Sequence, residues 1–421
     1  MCIVVYTNQL NLMLFSNVQS TVHPKQMQIE SIKLKSLYIY TISFILAFNM
    51  CDCLRAPFVL FYRFIVWSCF CLFNTKNPAI VNIDRQFEFL LDRKGGWWQN
   101  YHQQRISIRD NFYIFLALRF KNGGHQELEK FVDRLTKLMT NDGQIPYEII
   151  PSWYHGPVAV YNSTRCNVPV IDANLQYIIM VHWLYENNQK KAQTLYLYCQ
   201  RAWQWLDVNV VNDTLYEEMD ASWETSRKHN GVVLLSNILM IKAIRCMELQ
   251  SMYANDERKQ RKFVKMHEQC VAKWLPEIYK TQEVLPRILA VQFGIAPRSF
   301  IPSFNQSIHS VWIPCRLEGP IKQETTTHSW IYGYEDQHDT VVWPWIGMLW
   351  ILVLKSKGFD ELANAWWISY IEFHRPETIY DMYSQETKLP LRRAFLKGQP
   401  CHTLSLAMQI IVQKHLAKQT V

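Results

Sequence analysis

From about residue 77 to its end the chain alternates two kinds of helix-length segment, and this alternation constrains the fold more than any other feature. One kind is amphipathic. Over 125–140 the apolar positions are Leu128, Phe131, Val132, Leu135 and Leu138, a single stripe at helical spacing with charges opposite. Segments 190–206, 257–279 and 359–373 behave the same way. The other kind, 111–118, 173–185, 231–244 and 341–354, is apolar nearly all round. A helix greasy on every side has to be enclosed by other helices. Strand signals are weak: with only 13 glycines, few hairpin turns separate alternating runs. The pattern predicts an all-α domain over 77–421, with an inner layer of helices wrapped by an outer one and each helix antiparallel to the next.

Residues 1–76 break from this alternation and form a hydrophobic N-terminal extension. The run 37–50 is apolar and follows Lys33 and Lys35, which resembles a secretory signal read from Met27. A second apolar run, 56–73, contains Arg63 and is marginal as a membrane span. A signal, an uncleaved anchor and mistranslated upstream sequence all remain open. Export or membrane attachment follows if residues 27–73 are genuine, and a cytoplasmic location otherwise. Membrane contact is expected through this extension alone.

The net charge of +8 is spread along the chain. Its one dense basic run, 258–262, lies on a predicted surface helix, and no nucleic-acid-binding signature accompanies it. Among 11 cysteines none has CxxC spacing, and Cys199, Cys246 and Cys270 fall inside helical patterns, as small core residues do. No metal and no cofactor are implied. Nucleophile-elbow, phosphate-loop, zinc-protease and dinucleotide signatures are missing. The chain offers carboxylates and rings instead, with 16 Trp, 21 Tyr and 21 Phe. Hydrolysis of a glycosidic bond needs that equipment: an acid to protonate the leaving oxygen and a carboxylate to activate water.

If the inner helices all run one way, their N-termini share one mouth of the domain. Asp110, Asp172, Glu224 and Asp339 stand near those N-termini, with Arg109, Trp223, His229 and Trp343 beside them. Each acid taken singly reads equally well as a helix cap. Arg109 and Asp110 read equally well as a structural ion pair, and either Trp as a core ring. Asn174 and Asn237, set in greasy helices, need polar partners, which bound hydroxyls in a lumen would supply.

Six short motifs in order then resemble the six-hairpin toroid glycosidases, the group of trehalases, neutral and alkaline invertases and mannosyl-oligosaccharide glucosidases. Ile108-Arg109-Asp110-Asn111-Phe112 is similar to their IRDF or WDSYF segment, Asp142-Gly143-Gln144-Ile145-Pro146 to their G-x-[IM]-P turn, and Val170-Ile171-Asp172-Ala173-Asn174 to I-D-x-N. Ser222-Trp223-Glu224-Thr225-Ser226-Arg227 resembles the trehalase W-D-x-S-S-R segment. Asp339 through Val342-Trp343-Pro344-Trp345 resembles the late W-P segment, and Ile379-Tyr380-Asp381-Met382-Tyr383 resembles E-x-Y-D. The resemblance covers roughly 95–415 and implies an (α/α)6 toroid and an inverting glycosidase for an oligosaccharide or disaccharide. It further implies Glu224 as general acid, Asp381 as general base, and Arg109, Asp110, Asp172, Asn174, Trp223, Arg227, Asp339 and Trp343 around the sugar.

The group's usual acid is Asp and its usual base Glu, so each carboxylate here is displaced by one methylene. Asp220 and Glu377 are therefore the alternative pair. The trehalase PGGRF signature is absent, which disfavours trehalose. Two other classes remain. One is a sugar epimerase or isomerase using His102, His155, His229, His328, His338 or His402 for proton transfer. The other is a toroid that binds carbohydrate without turning it over.

Overall fold

The computed structural model describes residues 105–120, 123–150, 158–162, 168–185, 188–217, 231–308, 341–373, 380–384, 387, 389–390 and 403–416, together with strand residues 91–92 and 97–98. Two units are distinguished, Met1–Ala79 and Ile80–Val421, and every described element belongs to the second. Both apolar runs of the N-terminal extension lie outside the described residues.

In chain order the helices are α1 (Ile108–Arg119), α2 (His125–Leu138), α3 (Asp172–Tyr185), α4 (Gln189–Asp207), α5 (Leu234–Tyr253), α6 (Glu257–Lys280), α7 (Val284–Gln292), α8 (Phe300–Gln306), α9 (Pro344–Ser356), α10 (Asp360–Phe373) and α11 (Thr403–Leu416). The odd-numbered helices make a closed ring. Each packs on the next, from α1 through α3, α5, α7, α9 and α11, and α11 returns to α1. Helices α2, α4, α6 and α10 lie outside it: α2 leans on α3, α4 on α3 and α5, α6 on α5 and α7, and α10 on α9. Six inner helices closing on themselves are the (α/α)6 toroid expected from the alternation and the motifs.

The chemistry of the two helix kinds explains their layers. Ile178 and Ile179 of α3, Ile238 and Leu239 of α5, and Trp350 and Ile351 of α9 are all fully buried. In α2 burial is confined to Leu128, Phe131, Val132 and Leu135, the predicted stripe. Phe112 of α1 stacks on Trp183 of α3 at 5.2 Å between ring centroids, joining adjacent inner helices. Cys199, Cys246 and Cys270 are buried free thiols of this core.

Two inner helices begin later than the sequence expectation, and two helices were not anticipated. α5 begins at Leu234 rather than 231, because Gly231 sits at φ 79° and Val233 is still extended. α9 begins at Pro344 rather than 341, since proline lacks the N–H that a first helical position leaves unpaired anyway. α7 and α8 were not anticipated: Pro286 and Pro302 interrupt their apolar runs, and proline is tolerated only because each falls in a first turn.

Short antiparallel strands lead into the inner helices. They are β1 (Leu91–Asp92) with β2 (Trp97–Trp98), then β3 (Ile106–Ser107), β4 (Glu148–Ile150) and β5 (Val158–Val160) in one three-stranded sheet. β6 (Val210–Val211) and β7 (Thr214–Leu215) form a hairpin whose two turn residues, Asn212 and Asp213, both take positive φ. β8 (Val341–Val342) and β9 (Tyr383–Ser384) pair with Val342 opposite Tyr383.

Candidate active site

The first cluster forms where α1 and α3 begin. Ser107, the last residue of β3, caps α1 by accepting a hydrogen bond from the Asp110 N–H at 3.1 Å. The cap is thus Ser107, and the Asp110 carboxylate takes part in a hydrogen bond with the same Ser107 side chain. Arg109 Nε donates to Asp172 Oδ2 at 2.7 Å, and Gln176 Nε2 donates to the same oxygen at 3.4 Å. Asp172 opens α3, where the helix dipole favours its negative charge. Burial works against the Arg109 charge, but Asp172, with smaller help from Tyr113 and Asp110, holds the guanidinium above its ordinary pKa. Burial pushes the Asp110 carboxyl up to about 6, with Glu148 adding to the rise and Arg109 and the Ser107 hydrogen bond opposing it. A carboxyl poised there gains or loses a proton near neutrality.

The second cluster forms where α9 begins. Trp343 precedes Pro344 as the N-cap residue of α9, half-buried against Val341 and Met382. The β8–β9 pair brings the Tyr380–Tyr383 segment beside it, and there Asp381 is 6% exposed. The Tyr380 N–H donates to the Tyr383 hydroxyl at 3.1 Å, closing a tight turn around Asp381. Burial raises the Tyr383 phenol, and the Asp381 charge adds to the rise.

One ring contact ties the clusters together. Tyr113, in α1, meets Trp345 of α9 at 4.8 Å between centroids. The phenol of Tyr113 also feels Arg109, Asp172 and Asp110, which with burial leaves its pKa raised. The opening turns of α1, α3 and α9 therefore share one end of the ring, and that end carries Arg109, Asp110, Asp172, Trp343 and Asp381.

Asn174 requires a correction. It is fully buried, but its amide is taken up by backbone: Oδ1 accepts from Ile145 N at 2.9 Å, and Nδ2 donates to Gly143 O at 2.9 Å and Ala202 O at 3.1 Å. It clamps the Asp142–Pro146 turn between α3 and α4 rather than holding a hydroxyl. Asn237 does the same in α5, accepting from Leu215 N and donating to Leu215 O and Val233 O. The step of 63 residues from Arg109 to Asp172 also carries Asn111 to Asn174 to Asn237, all fully buried, so the first three inner helices share one register. Arg109 is likewise paired with Asp172 and not with its neighbour Asp110.

Glu224, Trp223, Arg227, Asp339, Asp220 and Glu377 lie outside the described residues, as do all six histidines of the epimerase alternative. The stem of the segment bearing Asp220 and Glu224 is described. The Glu217 N–H donates to Gly231 O at 2.7 Å, and Tyr216 bridges Val232. Glu217 itself was missed by the sequence reading. It is buried, and Ser236 Oγ lies 3.2 and 3.3 Å from its two carboxylate oxygens. Its place three residues before Asp220, with no motif around it, gave no sequence signal. Beside it opens a cavity of about 620 Å³ that also reaches Ile171, next to Asp172.

No family model matches the chain, and no curated protein does. Solved structures do. The chain is similar to the GH63 mannosylglycerate hydrolase from Thermus thermophilus in complex with glucose at 10% identity and a TM-score of 0.53, over 79% of this chain and 99% of that one. It is similar to a rhamnosidase from Klebsiella oxytoca with rhamnose bound at 10% identity and 0.52, over 80% and 66%. A wild-type glycosidase aligns at 10% identity and 0.54, over 80% and 96%. At these identities the likeness is one of fold: the chain folds as a six-hairpin toroid of the kind these glycosidases use.

Proposed function

We propose that this protein is a glycoside hydrolase that cleaves an α-glucosidic or related linkage with inversion of configuration. The observation that supports this reading best is the end of the ring that carries buried Asp381 together with the Arg109–Asp172 pair and Asp110, whose carboxyl is raised to about 6. Glycosidases with the same fold bind glucose or rhamnose. In the proposed reaction Glu224 donates its proton to the glycosidic oxygen as the bond to the anomeric carbon breaks. Asp381 accepts a proton from the water whose oxygen attacks that carbon from the opposite face. Arg109, Asp110 and Asp172 hold hydroxyls of the terminal sugar, and Trp223, Arg227, Asp339 and Trp343 complete its surroundings. The substrate is an oligosaccharide or disaccharide, and the residues named need no cofactor.

Glu224→Gln tests the acid assignment. General acid catalysis contributes about 10²–10⁴-fold. The variant should lose at least about a hundredfold on substrates with sugar leaving groups and much less on activated aryl glycosides, which depart without protonation. Equal losses on both, or full activity, would move the role to Asp220.

A further inference from the structure

The cavity beside Glu217 belongs to none of the residues assigned above. It opens between the approach to α3, the C-terminal turn of α4 and the stem that carries Glu217, and at about 620 Å³ it falls within the size range of small-ligand sites, about 300–1,000 Å³. Its walls are fixed. Asn174 ties the Asp142–Pro146 turn to Ala202 of α4, the Tyr216 N–H donates to Asn209 O at 2.9 Å, and Ser236 holds the Glu217 carboxylate.

The lining combines two kinds of surface. Trp205, half-buried against the core, and Tyr216, 42% exposed, supply aromatic faces. Asp142, Gln204, Asn209 and Glu217 supply acceptors, and the two amides supply donors. Apolar faces ringed by hydroxyl partners match a sugar ring, which is apolar across its C–H face and polar around its edge. Charge narrows the class. The described lining holds two carboxylates and no Lys, Arg or His, so a uronic acid or a sugar phosphate would enter against like charge.

We propose that this cavity is a saccharide subsite that receives the neutral leaving-group sugar. This rests on the hydrolase reading for its role, though not for its ligand. The segment from Glu217 to Gly231 contains Glu224, the proposed acid, and the leaving sugar is the part of the substrate that such an acid protonates. A cavity at the stem of that segment, next to Ile171 and Asp172, is where that sugar would lie.

The test uses the full chain with two variants. Trp205→Ala removes the stacking face. Val208→Trp, at a position 78% exposed, fills the cavity without touching the core. The probes are maltose, whose leaving group is glucose, α-glucosyl fluoride, whose fluoride is too small to reach the rings, and free glucose against glucuronate in calorimetry. Each variant should weaken maltose binding by about tenfold or more, the scale of one ring face returned to water. Each should also lower kcat/KM for maltose by a larger factor than for α-glucosyl fluoride, and glucuronate should bind more weakly than glucose. Equal maltose affinity in wild type and both variants overturns the proposal. So does tighter binding of glucuronate, or no binding of either neutral sugar to the wild type at millimolar concentration. Absence of all hydrolysis would defeat the hydrolase reading, and the binding measurements would still decide the cavity.

Discussion

Asp110 shows how far single residues were legible. Its position at the start of an inner helix was readable, and so was the presence of Arg109 and Asp172 nearby. The pairing among them was not, because adjacent residues on a helix point apart while residues on neighbouring helices can meet. Arg109 therefore turns to Asp172 on the neighbouring inner helix, and Asp110 is left in a poorly solvated position with its carboxyl raised from 3.8 to about 6. The sign of the consequence is definite. A carboxyl with a raised folded pKa favours folding while protonated, so its contribution is fully present below about 3.8 and is lost as pH rises through about 6. Asp110→Asn should therefore melt at a higher temperature than wild type at pH 7–8, with the gap closing below pH 4. A constant offset across that range, or a lower melting temperature at pH 8, would contradict the burial of this carboxylate. Asn174 carries the opposite lesson: a buried amide in a greasy helix does signal unmet hydrogen-bonding need, but backbone groups meet it here.

At the scale of elements, the period of the apolar pattern told inner helices from outer ones, since full burial and one-sided burial leave different stripes. It failed at α7 and α8, where prolines in the first turns mimic loop punctuation. It was silent about the β8–β9 pair that brings Asp381 to Trp343, because two-residue strands carry no period. Turns were legible only as motifs. The Asp142–Pro146 turn was noted for its resemblance, while its physical role emerges from Gly143. At φ +103° a Cβ there would lie 2.3 Å from Arg201 O and 2.6 Å from Arg201 C, backbone atoms of α4 that cannot yield. Gly294 also has positive φ, at +75°, but a Cβ there meets nothing within 4 Å. Gly143→Ala should cost about 2–5 kcal/mol, overpacking added to a strained φ. Gly294→Ala should cost about 1–2 kcal/mol from φ alone. Urea unfolding of both variants measures the difference, and equal losses would mean that the turn is not docked against α4 as described.

At the scale of the molecule, the closed ring lies wholly within Ile80–Val421, and each inner helix finds both its neighbours there. A chain beginning at residue 77 should accordingly stay soluble, keep its helical circular dichroism and keep its activity. Insolubility with loss of helix would show that the first 76 residues take part in the fold. The ring, read from alternation, was more legible than the chemistry at its mouth, because layers depend on many residues and a mechanism depends on two. Glu224 and Asp381 are assigned by motif, and the separation of such a pair governs stereochemistry: about 6.5–9.5 Å leaves room for water, and about 5–5.5 Å allows direct attack on carbon. Relative to the group's usual pair, Asp381 is a methylene shorter and Glu224 a methylene longer, so the two changes offset each other in reach. Proton NMR of the first sugar released reads the outcome directly. An α-linked substrate should yield the β-anomer first, ahead of mutarotation; an α-anomer as first product would contradict Asp381 as the base and the inverting mechanism with it.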